Sequence, residues 1–296
     1  EQAIARIWEQ LLGHRQIGRN ANFFELGGHS LLVITLIEQL RKAGRGTDVR
    51  TIFAYPTLSA LAAALDLGSH APSQSVPPNL ITADGAAITP DMVPLADLNQ
   101  EEIDLLVRET PSGLRDIQDI YRLAPLQEGI LFHHLLDAES DAYVMRSTIA
   151  FDSRARLDGF LAALQTVISR HDILRTSVHW TGLRHPVQIV HRQAPLPVHT
   201  VTLDGSGEAL AQFQQLTDPQ RVRIDLRRAP LLAAYVASCP GSDECLLALL
   251  NHHIVSDHLT VEFIHNEIQL LLHKQEDRLP LALPYRNFIA QVHSIS

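Results

Sequence analysis

Two pairs of adjacent histidines and one serine behind two glycines are the residues of this chain whose types and spacing could do chemistry. The first pair is His133-His134, and the second opens the run His252-His253-Ile254-Val255-Ser256-Asp257-His258. Imidazole titrates near neutral pH, so a pair followed by a carboxylate could be a general base with its orienting partner. The same groups, His252, His253 and Asp257, could ligate the metal of a hydrolase, or both rings could be buried structural histidines. Spacing disfavours the metal, because consecutive side chains at the end of a strand point to opposite faces and one of them at most enters a given site. The serine stands in Asn22-Phe23-Phe24-Glu25-Leu26-Gly27-Gly28-His29-Ser30-Leu31. Glycines allow a tight turn, and the N-terminus of a helix favours an anionic group, which suits a phosphodiester on Ser30; without such a group Ser30 reads as a helix N-cap.

The elements that must position these groups follow from apolar periodicity. Ile4, Ile7, Trp8 and Leu11 share one helical face; Leu32, Val33, Leu36, Ile37 and Leu40 share another. A further helix opens at Thr57, a suitable N-cap, and carries Leu58, Leu61, Ala62 and Leu65, so residues 1–66 read as a small four-helix bundle. From Leu67 to about Pro94 the chain is rich in Gly, Ser, Pro and Ala, with few large apolar residues, and reads as a linker. Asn99 to Thr110 predicts a short lead-in helix, which places a linker and lead-in over 67–115 and a second domain over 116–296. There Leu157, Phe160, Leu161, Leu164 and Ile168 mark a helix, and strand-like runs follow at 173–180, 187–190, 198–203, 231–237 and 245–250. The last runs straight into His252-His253, ahead of a helix on which Val261, Ile264, Ile268 and Leu271 align. One histidine pair therefore sits where a buried strand ends, a rigid place from which to aim a side chain.

The bulk composition narrows the partners. A formal charge of -9 and a pI near 5.9 argue against a nucleic-acid or anionic-membrane surface. Neither a leader nor an apolar run long enough to span a bilayer is evident, so a cytoplasmic protein is expected. Cys239 and Cys245 flank Pro240-Gly241, a turn that could bring them into a local disulfide; two free thiols is the alternative.

The first segment, through Leu65, resembles a peptidyl carrier (thiolation) domain of nonribosomal peptide synthetases. That resemblance implies 4′-phosphopantetheine on Ser30 of Leu26-Gly27-Gly28-His29-Ser30, installed from coenzyme A by a phosphopantetheinyl transferase. It also implies an aminoacyl or peptidyl thioester, loaded through an upstream adenylation domain. His29 before the serine is similar to carriers that face a condensation domain.

The run from His252 resembles the His-His-x-x-x-Asp-Gly motif of condensation domains, which share a fold with chloramphenicol acetyltransferase. Further family-like stretches stand in order: Leu123-Ala124-Pro125-Leu126-Gln127-Glu128-Gly129, Arg170-His171-Asp172-Ile173-Leu174-Arg175-Thr176, and Pro284-Tyr285-Arg286-Asn287-Phe288. The implied whole is a four-helix carrier bundle followed by the α/β N-terminal lobe of a condensation domain. His253 then faces the reaction channel and positions or deprotonates the acceptor amine, His252 is its neighbour in the motif, and Asp257 shapes the loop through an ion pair. His258 replaces the family glycine, which fits subtypes handling D-configured donors. His133-His134, with Ser140-Asp141 downstream, resembles the extra His-His motif of dual epimerisation/condensation domains, Ser140 standing for a glycine; a plain helix face is the other account of that pair. The dual subtype is favoured, with D-donor condensation second, and no metal or nucleotide is implied. The resemblance covers the first of two lobes, so the chain without its second lobe and a downstream acceptor carrier is expected to condense little. The alternative is a truncated, non-catalytic carrier and docking unit.

Overall fold

The computed structural model describes residues 1–28, 30–47, 49–66, 76–137, 140–205 and 207–293, leaving aside the side chains of 30, 31, 34, 49, 50, 258 and 259. His29, residues 67–75 of the expected linker and Ala138-Glu139 lie outside the described residues. The chain divides into two compact units, Glu1–Pro78 with Leu283–Ser296, and Asn79–Ala282.

In the first unit α1 (Gln2–Leu12), α2 (Ser30–Lys42), α3 (Val49–Ala54) and α4 (Leu58–Asp66) enclose Ile4, Trp8, Phe23, Leu36, Leu40, Ile52 and Leu61, all fully buried. The spacing of these residues is the reason the helices pack: each presents one apolar stripe to the others. Trp8 meets Phe23 edge-on with ring centroids 5.1 Å apart. Gly13 closes α1 at φ 69°, in the left-handed region, with its N–H bonded to the Glu9 carbonyl. Thr57 does cap α4, its Oγ1 accepting the Ala60 N–H at 3.4 Å.

The second unit begins earlier than composition implies. From Asn79 onward the expected linker is built into a core, with Ile81, Ile88, Val93, Ala96 and Leu98 buried together with Ile103, Leu106, Ile117, Ile120, Val187 and Ile189. These apolar residues stand singly among Pro, Gly and Ala, so no period announces them. The lead-in helix α5 (Gln100–Glu109) forms as read, closed by a capping box. Asn99 Oδ1 accepts the Glu102 N–H at 2.9 Å and a Glu102 carboxylate oxygen accepts the Asn99 N–H at 2.8 Å.

After it come β1 (Ile117–Arg122), α6 (Pro125–Leu136), β2 (Val144–Phe151), α7 (Arg154–Arg170), β3 (Thr176–His179), β4 (Val187–His191), β5 (Val198–Thr200), α8 (Ala209–Leu216), β6 (Leu232–Ser238), β7 (Cys245–His252) and α9 (His258–Leu272). The strands form two sheets, ordered β1-β4-β3 and β2-β7-β6-β5; all pairings are antiparallel except β5 on β6. Cys239 and Cys245 are free thiols beside the turn between β6 and β7. A last helix, α10 (Arg286–His293), belongs to the first unit, where Leu283 and Phe288 pack on its core. No helix among the described residues is long and apolar enough to cross a membrane.

Candidate active site

β7 is apolar along almost its whole length and buried, and it delivers His252 and His253 to its C-terminal end. Its neighbour β2 pairs Val144 with His252, and the ladder continues one step further through the His253 N–H donated to the Tyr143 carbonyl at 2.8 Å. As expected of consecutive residues at a strand end, the two imidazoles part: His252 is fully buried and His253 half-buried.

The buried ring meets the other histidine pair. His133 and His134 stand in the last turn of α6, about 100° apart around the helix, so one points outward and one inward. His134 Nδ1 lies 2.6 Å and His252 Nε2 3.0 Å from the same oxygen, Oδ2 of buried Asp141, while Asp141 Oδ1 accepts the Tyr143 N–H at 3.1 Å. A carboxylate only accepts here, so both imidazoles donate to it. Burial opposes ionisation of Asp141, but the hydrogen bonds from His134 and His252, the His252 charge and the Tyr143 amide outweigh it and hold the carboxyl far below its ordinary range. Burial likewise pushes the His252 imidazolium down, against the hydrogen bond and charge of Asp141, and His134 and His253 add to the lowering. His252 Nδ1 accepts the Ile254 N–H at 3.1 Å, so this ring is neutral with its proton on Nε2.

His253 carries the opposite tautomer. Its Nδ1 lies 2.7 Å from the Ser256 carbonyl, which accepts the proton and leaves the Nε2 lone pair outward in the neutral ring. The ring lies nearly parallel to Tyr143, 11° between planes and 6.4 Å between centroids. Tyr143 in turn reaches His133, with Oη 2.6 Å from His133 Nδ1. The sequence-derived residues His133, His134, His252 and His253 thus come together, as an accessible layer of His133, Tyr143 and His253 over a buried layer of His134, Asp141 and His252.

Surrounding motifs hold this arrangement. Gln127, from Leu123-Ala124-Pro125-Leu126-Gln127-Glu128-Gly129, accepts the Ala124 N–H at 2.9 Å and donates to the Ile254 carbonyl at 3.0 Å, tying the start of α6 to the loop after His253. Arg170 and His171 both grip the buried Glu267 of α9, at 3.2 and 2.9 Å. Arg223, which no motif announced, donates to the carbonyls of His134 (2.6 Å), Asp137 and Ser140, closing the segment that carries Asp141. Asp257 does not join the histidines. It caps α9, its Oδ1 accepting the Thr260 N–H at 2.7 Å and the Thr260 hydroxyl at 2.6 Å.

The trio His252, His253 and Asp257 expected of a metal hydrolase is therefore not assembled. Among the described residues the one group with metal-ligand geometry is His134, Asp141 and His252. Both nitrogens of His252 are already spent on Asp141 and the Ile254 amide, which accounts for the cluster as a hydrogen-bonded one.

In the first unit the side chain of Ser30 lies outside the description, but its backbone opens α2. Gly27 has φ 95°, and a Cβ on Gly28 would fall 2.2 Å from the Phe23 ring and 2.6 Å from the Phe23 carbonyl oxygen. Both glycines are thus required by the turn that brings Ser30 to the helix N-terminus, and this backbone fits a phosphodiester.

Comparison with known proteins gives these arrangements relatives. A family model described as "Condensation domain" matches residues 117–296, and one described as "Phosphopantetheine attachment site" matches residues 2–65, spanning Ser30. Malpibaldin synthetase of Mortierella alpina is 44% identical over 295 residues, 99% of this chain and 5% of that protein. Malpinin synthetase of the same organism is 44% identical over 292 residues, covering 98% and 4%. Tyrocidine synthase 3 of Brevibacillus parabrevis is 27% identical over 290 residues, covering 97% and 4%. The chain therefore spans a small part of each of these curated relatives. The crystal structure of a four-domain nonribosomal peptide synthetase bound to AMP and glycine matches 59% of this chain and 13% of its own, with TM-score 0.50 and 16% identity, a likeness of fold.

Proposed function

The chain belongs to the condensation-domain family, joined to a phosphopantetheine carrier of the nonribosomal peptide synthetases, and from that premise we propose that it forms amide bonds with His253 as the working base. When bound to Ser30, the phosphopantetheine arm supplies a thiol on which an aminoacyl or peptidyl group is held as a thioester. In this reading residues 1–66 are the carrier and 116–296 the condensation lobe; 67–115 connect them, the part from Asn79 with its lead-in helix being packed into the second unit. The arm comes from coenzyme A through a phosphopantetheinyl transferase; an adenylation domain loads it, and a further carrier brings the acceptor amine.

The observation that supports this reading is the tautomer of His253. Its Nδ1–H is held by the Ser256 carbonyl at 2.7 Å, so Nε2 is the free basic atom on a half-buried ring at the end of a rigid strand. There it accepts the proton shed by the amine nitrogen as that nitrogen bonds to the thioester carbonyl carbon, and passes it to the sulfur that leaves as the C–S bond breaks. His252 serves as the buried neighbour that fixes the strand end, and Asp257 fixes the start of α9. We assign the dual epimerisation/condensation subtype, because His133 and His134 are bonded into the same constellation through Asp141 and Tyr143. One histidine-centred site then serves both α-proton exchange and amide formation.

The test uses the synthetase with loaded donor and acceptor carriers. His253→Ala is expected to lower amide formation at least about 100-fold, in line with the contribution of a positioned base; an unchanged rate would overturn the assignment. Ser30→Ala is expected to abolish the mass gain on incubation with coenzyme A and a transferase. Exchange of the donor α-proton into deuterated water separates the subtypes: washout lost in His253→Ala supports the dual one, and none in the parent leaves D-donor condensation.

A further inference from the structure

Tyr143 was not among the residues that spacing or resemblance singled out, yet every part of it is engaged between the two histidine pairs. Its N–H is held by Asp141 Oδ1 at 3.1 Å, so the carboxylate that binds both buried imidazoles also fixes the tyrosine backbone. Its carbonyl accepts the His253 N–H at 2.8 Å, which sets the two residues opposite each other in the ladder of β2 and β7, and directly opposite residues project to one face. The rings accordingly lie nearly parallel. Its hydroxyl reaches His133 Nδ1 at 2.6 Å, and those two rings are also stacked, 23° apart in plane with centroids at 5.8 Å. His133 is exposed and on the last turn of its helix, where a free imidazole would rotate; Tyr143 gives it one orientation.

We infer that Tyr143 is a positioning residue for both accessible imidazoles, its hydroxyl setting the orientation and tautomer of His133 and its ring setting the plane of His253. A phenol suits this because it both donates and accepts. With His133 neutral the hydroxyl donates to Nδ1, so the His133 proton sits on Nε2; with His133 protonated, Nδ1–H donates to Oη. When His133 takes up a proton the pair gains that one proton, and the contact survives with its direction reversed. Phenylalanine would keep the stack and lose this. The inference deepens the reading of His133 and His253 above and rests on it for the reaction, while the geometry itself can be tested separately.

Two readouts keep those failures apart. The first is nitrogen NMR of the histidine rings in the 296-residue chain. Tyr143→Phe is expected to move the ring-nitrogen shifts of His133 toward those of a solvent-exposed imidazole while His134 and His252 stay in place. His133 shifts that do not move would overturn the inference whatever the enzyme does. The second is the ratio of α-proton exchange to amide formation in the loaded synthetase. In Tyr143→Phe this ratio is expected to fall at least about fivefold, a fraction of what a full acid–base group contributes, because the hydroxyl acts through His133. Tyr143→Leu, which also removes the ring beside His253, is expected to lower both rates. A parent-like ratio in Tyr143→Phe beside lowered rates in Tyr143→Leu would mark Tyr143 as packing alone and overturn the positioning role. Should Tyr143→Phe not fold, 3-fluorotyrosine placed at 143 keeps the ring and makes its hydroxyl more acidic; the pH profile of exchange is expected to shift, and an unmoved profile counts against the inference. If His253→Ala retains full activity, the base assignment falls while the NMR result still decides the role of Tyr143.

Discussion

Adjacent histidines in one motif carry opposite tautomers, and the cause is local. His252 ends a strand inside the protein, where the Ile254 amide takes its Nδ1 and Asp141 its Nε2 proton; His253 begins the turn, where the Ser256 carbonyl takes its Nδ1 proton instead. The stability of the pair rests on Asp141, whose two oxygens receive the His134 and His252 N–H groups and the Tyr143 amide. Asp141→Asn keeps the shape but turns one accepting atom into a donor, so a buried N–H loses its partner. The expected cost is about 3 kcal/mol at neutral pH, the usual scale for charged buried hydrogen bonds, read as a shift in urea midpoint. A variant as stable as the parent would show that the carboxylate charge does not hold the site. Because the folded-state pKa of Asp141 is depressed, its contribution is complete above the unfolded value near 4 and disappears only as pH falls below that toward the folded pKa.

Elements decide whether those residues reach their places. In the first unit, Gly28 lies against Phe23, and Phe23 is locked edge-on to Trp8 in a fully buried core. Gly28→Ala should therefore cost about 1–3 kcal/mol, the scale of overpacking a core that cannot yield, and should slow loading of Ser30. Thermal unfolding of the first unit and the rate of mass gain with coenzyme A check this; loading at the parent rate with an unshifted midpoint would show that the turn has slack. The same scale explains what the sequence made legible. Helices α1, α2, α4, α5, α7 and α9 and strand β6 follow from apolar spacing, because each buries one clear face, and β4 and β7 read as short apolar runs because they are buried on both faces. Strands β1 and β2 were hidden for identifiable reasons. β1 has its register broken between Ile117 and Asp119, and β2 is the edge of its sheet, so Met145, Arg146, Ser147 and Thr148 are only partly buried and show no alternation. Within the site, the histidines were legible from their pairing, and Asp141 came only with a family motif. Tyr143 and Arg223 were not legible at all, since their roles depend on which strand end faces which helix end. Nor does any period reveal that Arg170 and His171 reach across to Glu267.

At the scale of the whole molecule, acid should act on the second unit before it acts on any carboxylate there. His179 on β3 is buried, and burial, followed by the charges of His191 and Arg227, drives its pKa down from 6.5 to about 4, with Asp225 opposing. Its Nε2 meets Ser177 Oγ at 3.0 Å; the same oxygen meets His191 Nε2 at 2.7 Å, and His191 Nδ1 meets Asp116 Oδ2 at 2.8 Å. The nearest carboxylate to His179 Nδ1, on Glu109, is 3.8 Å away, too far for a hydrogen bond that would hold a proton there. The sign follows from proton counts. Between the folded value near 4 and the unfolded value near 6.5 the unfolded chain binds more protons, so stability rises with pH across that window and is lost as pH falls through it. The depression corresponds to about 3 kcal/mol, of which about 2 are gone by pH 5. His252, also lowered, adds in the same direction, whereas the stabilisation from Asp141 stays intact until pH drops below about 4. Calorimetry from pH 7.5 to 4.5 should thus show the transition of the second unit falling steadily. In His179→Phe, which removes the titrating group while Ser177 keeps His191, the slope of midpoint against pH should flatten. Parallel slopes in parent and variant would mean that the buried imidazole is not what makes the unit sensitive to acid.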